Sequence, residues 1–449
     1  MSTSDASPPA EKQRLSPGRV AAATMVGTMI EAYDLVLYSM VAATVFSHVF
    51  FPDIAPWLGT LAALASHAVA FFMRPFGAIL FGYIGDRFSR VKALRISLLL
   101  MGTATLLIGL LPTADQIGIL APILLVTMRL LQGLAMGGEY GGAVAVSMES
   151  APPARRALYG TFPNTGSILG AALAITISVA MLAILGTDAL LSWGWRIAFL
   201  LSVVLVFIGF LVRRIQEPEE FEESVDRKAD GQGGPPLGRK LRLIGIATLL
   251  LTPNTLIFYL IITSFLAYVR AGGVPGLSVQ AYQLICCAAM VVSCAVNIGG
   301  GFLSLRVSRH RIVLAACISA IVASFPAILL LQTGKTSLAL IGIVILIPAH
   351  GLMSGVATSY VSDALPVQFR YTGVGLGYAL GAGFGSGFLP LAILWLIGPT
   401  GALWPFAFLI CLSCLGAIAG VVAVQRSTRQ GAKLVGIAGE DAQFSTSRG

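Results

Sequence analysis

Charged residues are scarce in this chain of 449 residues: they make up 11% of it, against about 25% in a typical soluble protein. Hydrophobic residues make up 56%, and the mean hydropathy is +0.86. A soluble fold of this length could not hide so many apolar side chains from water. The composition therefore excludes a soluble enzyme, a disordered protein and a fibrous protein, and indicates an integral membrane protein.

Signatures of several other functions are also missing from the sequence. It contains no nucleotide-binding loop, nucleophile motif or cluster of metal-ligating residues, so we expect neither a metal nor a cofactor. The six cysteines all lie in apolar stretches, where a reactive thiolate is disfavoured. No short signal-peptide core with a small-residue cleavage site follows the polar N-terminal segment, so we expect the first hydrophobic segment to remain as a helix.

Twelve apolar stretches are long enough to cross a bilayer, which takes about 20 residues each. They form two groups of six on either side of one hydrophilic stretch. We therefore predict an all-α membrane protein with twelve transmembrane helices in two pseudo-symmetric six-helix bundles. The predicted helices cover residues 21–48, 57–84, 93–111, 118–147, 157–185, 194–213, 243–269, 280–304, 312–332, 338–361, 372–397 and 402–425.

This pattern predicts an organisation in five parts. The hydrophilic stretch contains EPEEFEE and a GQGGPP turn cluster, which are typical of a mobile linker. The parts are an N-terminal tail (1–20), a first bundle (21–213), the linker (214–242), a second bundle (243–425) and a C-terminal tail (426–449).

Basic residues are distributed unevenly between the two sides of the predicted membrane. If the termini, the linker and the loops after helices 2, 4, 8 and 10 share one side, that side carries nearly all of the 29 Lys and Arg residues. The opposite side carries only Arg196, Arg270 and Lys335. The positive-inside rule then predicts that both termini are cytoplasmic. We expect the excess positive charge to face anionic lipid, with no nucleic-acid partner.

The two halves of the chain resemble each other weakly. The segment from Gly82 to Arg90 after helix 2 is similar to the segment from Gly301 to Arg309 after helix 8. Glu149 and Asp363 begin a second pair of similar segments after helices 4 and 10. Same-direction repeats predict bundles related by an axis along the membrane normal, with a binding site between them near the midplane.

Ionisable residues at bilayer depth are costly, so each is a candidate for function. The first half contains five of them: Glu31, Asp34, Arg74, Arg129 and Glu139. The second half contains only His350 and neutral polar residues such as Asn254, Tyr259 and Asn297.

Three carboxylates and two guanidiniums leave one carboxylate without a cationic partner. A buried carboxylate in that position can bind a proton reversibly, as a proton-coupled carrier requires. Glu31 and Asp34 lie one turn apart on the same helix face and would titrate as a coupled unit, so either could hold the proton. The alternative is a purely structural ion pair of Asp34 with Arg129, which we expect at similar depth. We also predict that Arg74 pairs with Glu139, directly or across a bound substrate.

Charged residues on the predicted cytoplasmic side could form an ionic latch that opens and closes as the bundles rock. The alternative is that they are ordinary solvated loop charges. The candidates for this gate are Gly82, Asp86, Arg87, Arg90, Glu149, Arg155, Arg156 and Arg370.

The stretch Gly137–Gly142 of helix 4 is unusually rich in glycine, and Glu139 lies within it. Glycine at bilayer depth permits close helix packing or gives a ligand access to the backbone. Both interpretations stay open, and Glu139 favours a site.

These motifs resemble the major facilitator superfamily and, within it, the metabolite:proton symporter family, with most similarity to the shikimate-transporter branch. The similar stretches run through nearly the whole chain in the family's order: EAYD from Glu31, MRPFGAILFGYIGDRFSR, RLLQGLAMGGEYGG, ESAPPARRALYG, SWGWRIAFL and FRYTGVGLGY. One departure is Leu305, where the family usually has Asp, so we expect a weaker latch in the second half.

The resemblance implies a monomeric symporter in the cell inner membrane, driven by the proton gradient and surrounded by lipid. Its substrate would be a small polar metabolite, a carboxylate such as shikimate or a dicarboxylate or tricarboxylate. The implied proton-coupling residues are Asp34, Glu31 and Arg129. The candidate substrate-binding residues are Arg74, Gln132, Gly138, Glu139, Tyr33, Tyr38, Asn164, Asn254, Tyr259 and His350.

Three other functions stay open from the sequence. An exporter that exchanges substrate for protons would use the same fold and the same charged residues. A sensor derived from a transporter would need an output domain, for which the sequence gives no signal. A membrane enzyme would have to use Glu31, Asp34 and His350 as acid–base groups without a recognisable nucleophile.

The predicted orientation can be tested by labelling introduced cysteines in a cysteine-free variant. We expect Gly233→Cys, in the linker, to resist a membrane-impermeant thiol reagent in intact cells and to react after the cells are opened. Lys335→Cys, on the opposite side, is the control and should react in intact cells. Labelling of position 233 from outside would overturn the orientation.

Overall fold

The computed structural model describes residues 15–52, 56–212, 217–223, 236–270, 272–388 and 403–429. Twelve long helices account for most of these residues, and no strand occurs among them. The helices are α1 (Pro17–Val41), α2 (Pro56–Arg87), α3 (Arg90–Leu110), α4 (Leu120–Glu149), α5 (Thr161–Ala189), α6 (Trp195–Val212), α7 (Leu237–Tyr259), α8 (Val279–Leu303), α9 (Arg309–Gln332), α10 (Thr336–Ala364), α11 (Val367–Ala382) and α12 (Trp404–Arg429).

Several helix ends differ from the predicted ones. Helix α1 begins with Pro17, and proline is well suited to the first turn of a helix because it has no N–H to leave unpaired. Pi-helical turns extend four helices: Ala42–Phe46 after α1, Leu190–Gly194 after α5, Leu260–Phe265 after α7 and Gly383–Phe388 after α11. The end of the predicted eleventh helix and the two tails beyond residues 15 and 429 lie outside the described residues.

The helices are suited to a bilayer in both length and surface. Ten helical stretches in the described residues are long and apolar enough to cross a membrane, and one of these, Pro153–Gly209, contains α5 and most of α6. Large apolar side chains such as Phe72, Val322 and Leu329 are exposed on the outside of the fold. In water this surface would be unfavourable, whereas hydrocarbon solvates it.

The twelve helices pack as two groups of six. In the first group α1 packs along α5, α2 along α4, and α3 against α4 and α6. In the second, α8 and α9 pack against α10, while α7 packs against α11 and α12. The two groups meet where α2 contacts α11 and where α5 contacts α8. Side chains on the inner faces of α1, α4, α7 and α10 can therefore meet near the centre of the molecule.

Glycines set the spacing between α2 and α4. A Cβ atom on Gly133 would lie 2.1 Å from the Ala70 carbonyl oxygen, and one on Gly137 would lie 2.1 Å from that of Arg74. Only glycine permits this approach, because the helix backbones are in contact. Most glycines of the stretch Gly137–Gly142 therefore serve close packing. This packing also fixes the position of the Arg74 backbone.

Replacement of Gly133 by alanine should destabilise the fold. The added methyl group would meet backbone rather than a movable side chain, and overpacking of this kind costs about 1–3 kcal/mol. We expect a lower midpoint of thermal unfolding in detergent. The control is Gly299→Ala on α8, where a Cβ atom would have nothing within 4 Å. Equal midpoints for the two variants would contradict the close packing of α2 and α4.

Candidate functional site

An ion pair lies at the centre of the molecule, between the two bundles. Arg74 on α2 pairs with Glu31 on α1, and both side chains are almost completely buried. The Arg74 guanidinium also donates a hydrogen bond of 3.3 Å from Nη1 to the Tyr259 hydroxyl of α7. A buried arginine needs such partners because an unpaired charge at this depth is costly.

Aromatic rings from both bundles surround the pair. The Arg74 guanidinium carbon lies 5.4 Å from the ring centre of Phe71 and 5.3 Å from that of Tyr378 on α11. Tyr378 in turn stacks on Tyr140 of α4, with ring centres 3.7 Å apart. Tyr140 donates to Asn164 on α5 at 2.9 Å. The charged pair of the first bundle is therefore covered by Tyr259 and Tyr378 of the second.

A small cavity adjoins this pair. Its volume is about 30 Å³, which is room for water but not for a metabolite. The carboxylate of Glu31 lies on one wall and neutral groups form the rest, so the cavity offers mainly amides, hydroxyls and aromatic faces. Its lining is Glu31, Ala32, Leu35, Asn164, Ser167, Ile168, Asn254, Thr255, Phe258, Tyr259, His350, Ser354 and Tyr378.

The wall contributed by the second bundle is polar and uncharged at its core. Ser354 hydrogen-bonds to Asn254 Oδ1 at 2.8 Å, and the Ser293 hydroxyl lies 2.7 Å from His350 Nδ1. Phe258 stacks on the imidazole ring, with centres 5.5 Å apart. These groups can exchange hydrogen bonds with a polar ligand without placing a charge in the cavity.

Asp34 occupies a separate site inside the first bundle. Its two carboxylate oxygens accept hydrogen bonds from the hydroxyls of Thr105 on α3 at 2.8 Å and Ser202 on α6 at 2.6 Å. Among the described residues no cationic group forms an ion pair with Asp34. A chain of neutral groups connects it to Arg129: the guanidinium donates to Gln132 Oε1 at 2.8 Å, and Gln132 Nε2 donates to Thr105 at 2.6 Å.

The predicted direct pair of Arg74 with Glu139 is wrong. Arg74 pairs with Glu31, whereas Glu139 accepts a hydrogen bond of 3.2 Å from Ser97 on α3. Direct pairing of Asp34 with Arg129 is also absent, because Gln132 and Thr105 stand between them.

The candidate substrate residues divide into two sets. Asn164, Asn254, Tyr259 and His350 line the cavity, and Arg74 lies directly behind Glu31. The remaining candidates contact other groups. Gly138 packs against Phe81, and its carbonyl accepts a hydrogen bond from the Tyr371 hydroxyl. Tyr33 donates to the Ala198 carbonyl at 3.1 Å, and the centre of the Tyr38 ring lies 3.7 Å from the Arg129 guanidinium carbon. Gln132 and Glu139 form the hydrogen bonds described above.

A second cluster of charges closes the predicted cytoplasmic end. Arg90 lies at its centre and is fully buried. Its guanidinium pairs with Asp86 at 2.9 Å and with Glu149 at 2.6 Å, and donates to the Val367 carbonyl of α11 at 2.7 Å. Glu149 also pairs with Arg370 at 3.1 Å. The cluster therefore joins α2, α3 and α4 of the first bundle to α11 of the second.

Asp86 makes the most direct link between the bundles. Its carboxylate accepts from the backbone N–H groups of Tyr371 at 3.1 Å and Thr372 at 2.9 Å, and from the Thr372 hydroxyl at 2.6 Å. The absence of a side chain on Gly82 permits this contact, because a Cβ atom there would lie 2.4 Å from the Thr372 hydroxyl oxygen. Helix α2 is thereby held against α11.

Part of the expected linker belongs to this gate. Glu220 pairs with Arg156 at 2.7 Å and with Arg370 at 3.3 Å, so it bridges the two bundles. Glu217 accepts from the backbone N–H groups of Arg90 and Val91, both at 3.1 Å, at the start of α3. The sequence interpretation of residues 217–223 as a mobile linker is therefore wrong for these two glutamates.

Two gate candidates lie outside the cluster, and the second half lacks one member of it. Arg87 is exposed and donates to Tyr83 on its own helix, and Arg155 is exposed. Arg309 pairs with Asp363, as Arg90 pairs with Glu149 in the first half. Leu305, the counterpart of Asp86, has no carboxylate to offer, so the repeat is only half complete.

Comparison with known proteins now identifies the family. The profile described as Major Facilitator Superfamily matches residues 24–382. The chain belongs to the major facilitator superfamily. The expectation from the sequence motifs is thereby confirmed, including the fold of two six-helix bundles.

Individual relatives agree with this assignment. The chain is 34% identical to the inner membrane metabolite transport protein YhjE of Escherichia coli K12 over 389 residues, 85% of this chain and 88% of that protein. It is 33% identical to the shikimate transporter of the same organism over 409 residues, 88% and 92% of the two chains. Among solved structures, the proton:xylose symporter XylE has a TM-score of 0.70 at 15% identity, with 91% and 95% of the chains covered, which shows the fold alone.

This major facilitator protein is therefore an integral membrane transporter of metabolites and not an enzyme. Several of the residues that form its networks carry no motif of their own. Thr105, Ser202 and Ser354 are single hydroxyls in apolar helices, whereas Tyr140 and Tyr378 lie in the RLLQGLAMGGEYGG and FRYTGVGLGY stretches.

The gate can be tested by removing the charge of Asp86. Asp86→Asn should weaken the contact with α11, because an amide replaces a carboxylate that accepts three hydrogen bonds across the bundle interface. Spin labels at Lys92 and Arg311, exposed residues near the predicted cytoplasmic ends of α3 and α9, should then show longer distances by pulsed electron paramagnetic resonance. Arg87→Gln is the matched control and should leave the distances unchanged. An unchanged distribution in Asp86→Asn would remove Asp86 from the gate.

Proposed function

We propose that the protein is a proton-coupled symporter that takes up a small organic acid or related polar metabolite by alternating access. It works as a monomer in the inner (plasma) membrane, with both termini cytoplasmic, and the proton gradient drives it without a cofactor. The relatives named an inner membrane metabolite transport protein and a shikimate transporter support this proposal. XylE, described as a proton:xylose symporter, has the same fold.

The surroundings of Asp34 carry the proton part of the proposal. Its oxygens contact the hydroxyls of Thr105 and Ser202, and a hydroxyl can donate to a carboxylate or accept from a carboxylic acid. A guanidinium can only donate, and would hold the acid in its charged form. The site can therefore accommodate Asp34 in both protonation states, which a reversible proton carrier requires.

Arg129 tunes this site from a distance. The path from its guanidinium to Asp34 runs through Gln132 and Thr105, so its positive charge acts on the carboxylate without a direct contact. Such an arrangement favours proton release more weakly than an ion pair does. Asp34 and Arg129 therefore act as one coupled unit.

The cavity beside Glu31 supports the transport part of the proposal. Groups from both bundles line it, so a ligand held there contacts both, and rocking of the bundles would expose it to one side and then the other. The Asp86 and Glu220 contacts hold the predicted cytoplasmic end closed in this structure. Uptake requires that these contacts break after the substrate has bound.

Uptake into proteoliposomes tests the proposal. The purified protein is first screened by thermal shift against shikimate, succinate, citrate, gluconate, proline and glycine betaine. Vesicles with an inward proton gradient should then accumulate the compounds that bind. Accumulation only under the reversed gradient would indicate an exporter, and no accumulation under either gradient would contradict proton-coupled transport.

Removal of the Asp34 carboxylate should weaken the coupling of transport to the gradient. Asp34→Asn should bind and exchange substrate, but it should accumulate less substrate than the unmodified protein at the same gradient, because it cannot carry the Asp34 proton. Asp115→Asn, at an exposed carboxylate in the α3–α4 loop, is the control and should accumulate substrate as the unmodified protein does. Normal accumulation by Asp34→Asn would place the proton elsewhere, with Glu31 as the next candidate.

A further inference from the structure

We infer that a carboxylate of the substrate takes the place of Glu31 on Arg74, and that Glu31 takes up a proton as it leaves. The inference rests on the proposed function and names both the substrate class and a second proton site. It concerns the central ion pair, which the Asp34 site does not use.

The position of Glu31 makes the exchange possible. Glu31 lines the cavity, whereas Arg74 lies behind it on α2 and is not part of the lining. Tyr259 and Tyr378 of the second bundle cover Arg74 from the other direction. A ligand in the cavity therefore meets Glu31 first, and reaches the guanidinium when Glu31 moves aside or when the bundles part.

Two buried N–H donors favour an anionic ligand. Arg74 Nε and Asn164 Nδ2 have no acceptor among the described residues, although both side chains are at least 96% buried. A buried donor without an acceptor is energetically unfavourable. A carboxylate offers several lone pairs to such donors, whereas an ammonium group or a second guanidinium offers none. The orphaned groups thus favour an acid over a cation.

The charge balance requires a proton. Before exchange, the ionised Glu31 neutralises Arg74; afterwards the substrate carboxylate does. If Glu31 stayed ionised, the site would contain two buried carboxylates for one guanidinium, which is unfavourable at this depth. Each carboxylate that binds therefore brings one proton from water onto Glu31.

Other titratable groups around Glu31 must be distinguished from it. Tyr140 of α4, Tyr259 of α7 and Tyr378 of α11 are close enough to interact with its charge. Tyrosine in general titrates near pH 10 and stays neutral in the physiological range. His350 of α10 lines the same cavity, and Asp34 lies one turn away on α1, so both need a control.

The exchange has an energetic consequence for transport. A monoanion carried with one proton moves no net charge across the membrane. With one proton on Asp34 and a second on Glu31, each cycle moves one positive charge inward. The membrane potential then drives uptake together with the proton gradient.

Binding measurements on the purified full-length protein test the inference. Each acid of the panel that binds is titrated calorimetrically between pH 5 and 8, in buffers of different ionisation enthalpy, which report proton uptake directly. Where Glu31 is ionised in the free protein, we expect one proton taken up per carboxylate and an affinity that falls about tenfold per pH unit. The methyl ester of the same acid should bind more weakly and without this pH dependence.

Three variants assign the proton to Glu31. Glu31→Gln cannot take up a proton and should bind the acid with pH-independent affinity. Asp34→Asn and His350→Gln should keep the pH dependence of the unmodified protein. If Glu31→Gln fails to fold, the acid and its methyl ester are compared on the unmodified protein. This comparison needs no substitution and still shows whether binding of the carboxylate takes up a proton.

The two proposals fail in different experiments. Acid binding without proton uptake, or binding of proline, glycine betaine or other ligands without any acid, would overturn the exchange at Arg74. Neither result would affect proton-driven accumulation measured in vesicles. Conversely, absence of accumulation would contradict the proposed function even where pH-linked binding is observed.

Discussion

A charge at bilayer depth must keep a compensating group beside it. The guanidiniums of Arg74 and Arg129 meet this requirement in different ways, and the rest of the structure is arranged around them. Arg74 keeps a carboxylate, Glu31, and the cost of stranding either partner would be about 3–5 kcal/mol. Arg129 instead rests on the Tyr38 ring and bonds to Gln132 and backbone carbonyls. Among the described residues no carboxylate pairs with Arg129, and Asp34 has hydroxyl partners instead. The contacts of Arg129 therefore leave the Asp34 carboxylate without a direct cationic partner.

The charges of the gate follow the same rule in a place where water is nearby. Arg90 and Glu149 are buried and pair within the first bundle, which keeps them compensated whether the gate is open or closed. The contacts of Asp86 and Glu220 cross the bundle interface, as do those of Arg90 with Val367 and of Glu149 with Arg370, and all of these must break when the gate opens. Water can replace them when the bundles part, so opening costs far less than it would at the midplane. Leu305 makes the gate depend mainly on one half.

The fold and the positions of the charged residues could be predicted from the sequence, because apolar length and helical rise fix each residue's depth. The partners could not. Depth makes both Glu31 and Glu139 compatible with Arg74, and the choice depends on how α1, α2 and α4 are rotated and how closely glycines let them approach. Thr105 and Ser202 gave no signal, since isolated hydroxyls in membrane helices commonly bond to their own backbone. Glu217 and Glu220 were hidden in an acidic run that resembles a solvated linker.

Asp34 and Glu31, the two acids of α1, belong to networks that would change differently if the bundles rocked. The hydroxyls that donate to Asp34 come from α3 and α6 of the first bundle, and Gln132 of α4 bonds to one of them, so a rigid-body movement leaves them together. The cover of the Glu31–Arg74 pair comes from the second bundle, so the same movement removes it. In the proposed mechanism, a proton on Asp34 is therefore kept while the substrate site opens and closes. Glu31, one helical turn away, is exposed to that change, and the single helix α1 connects the two events.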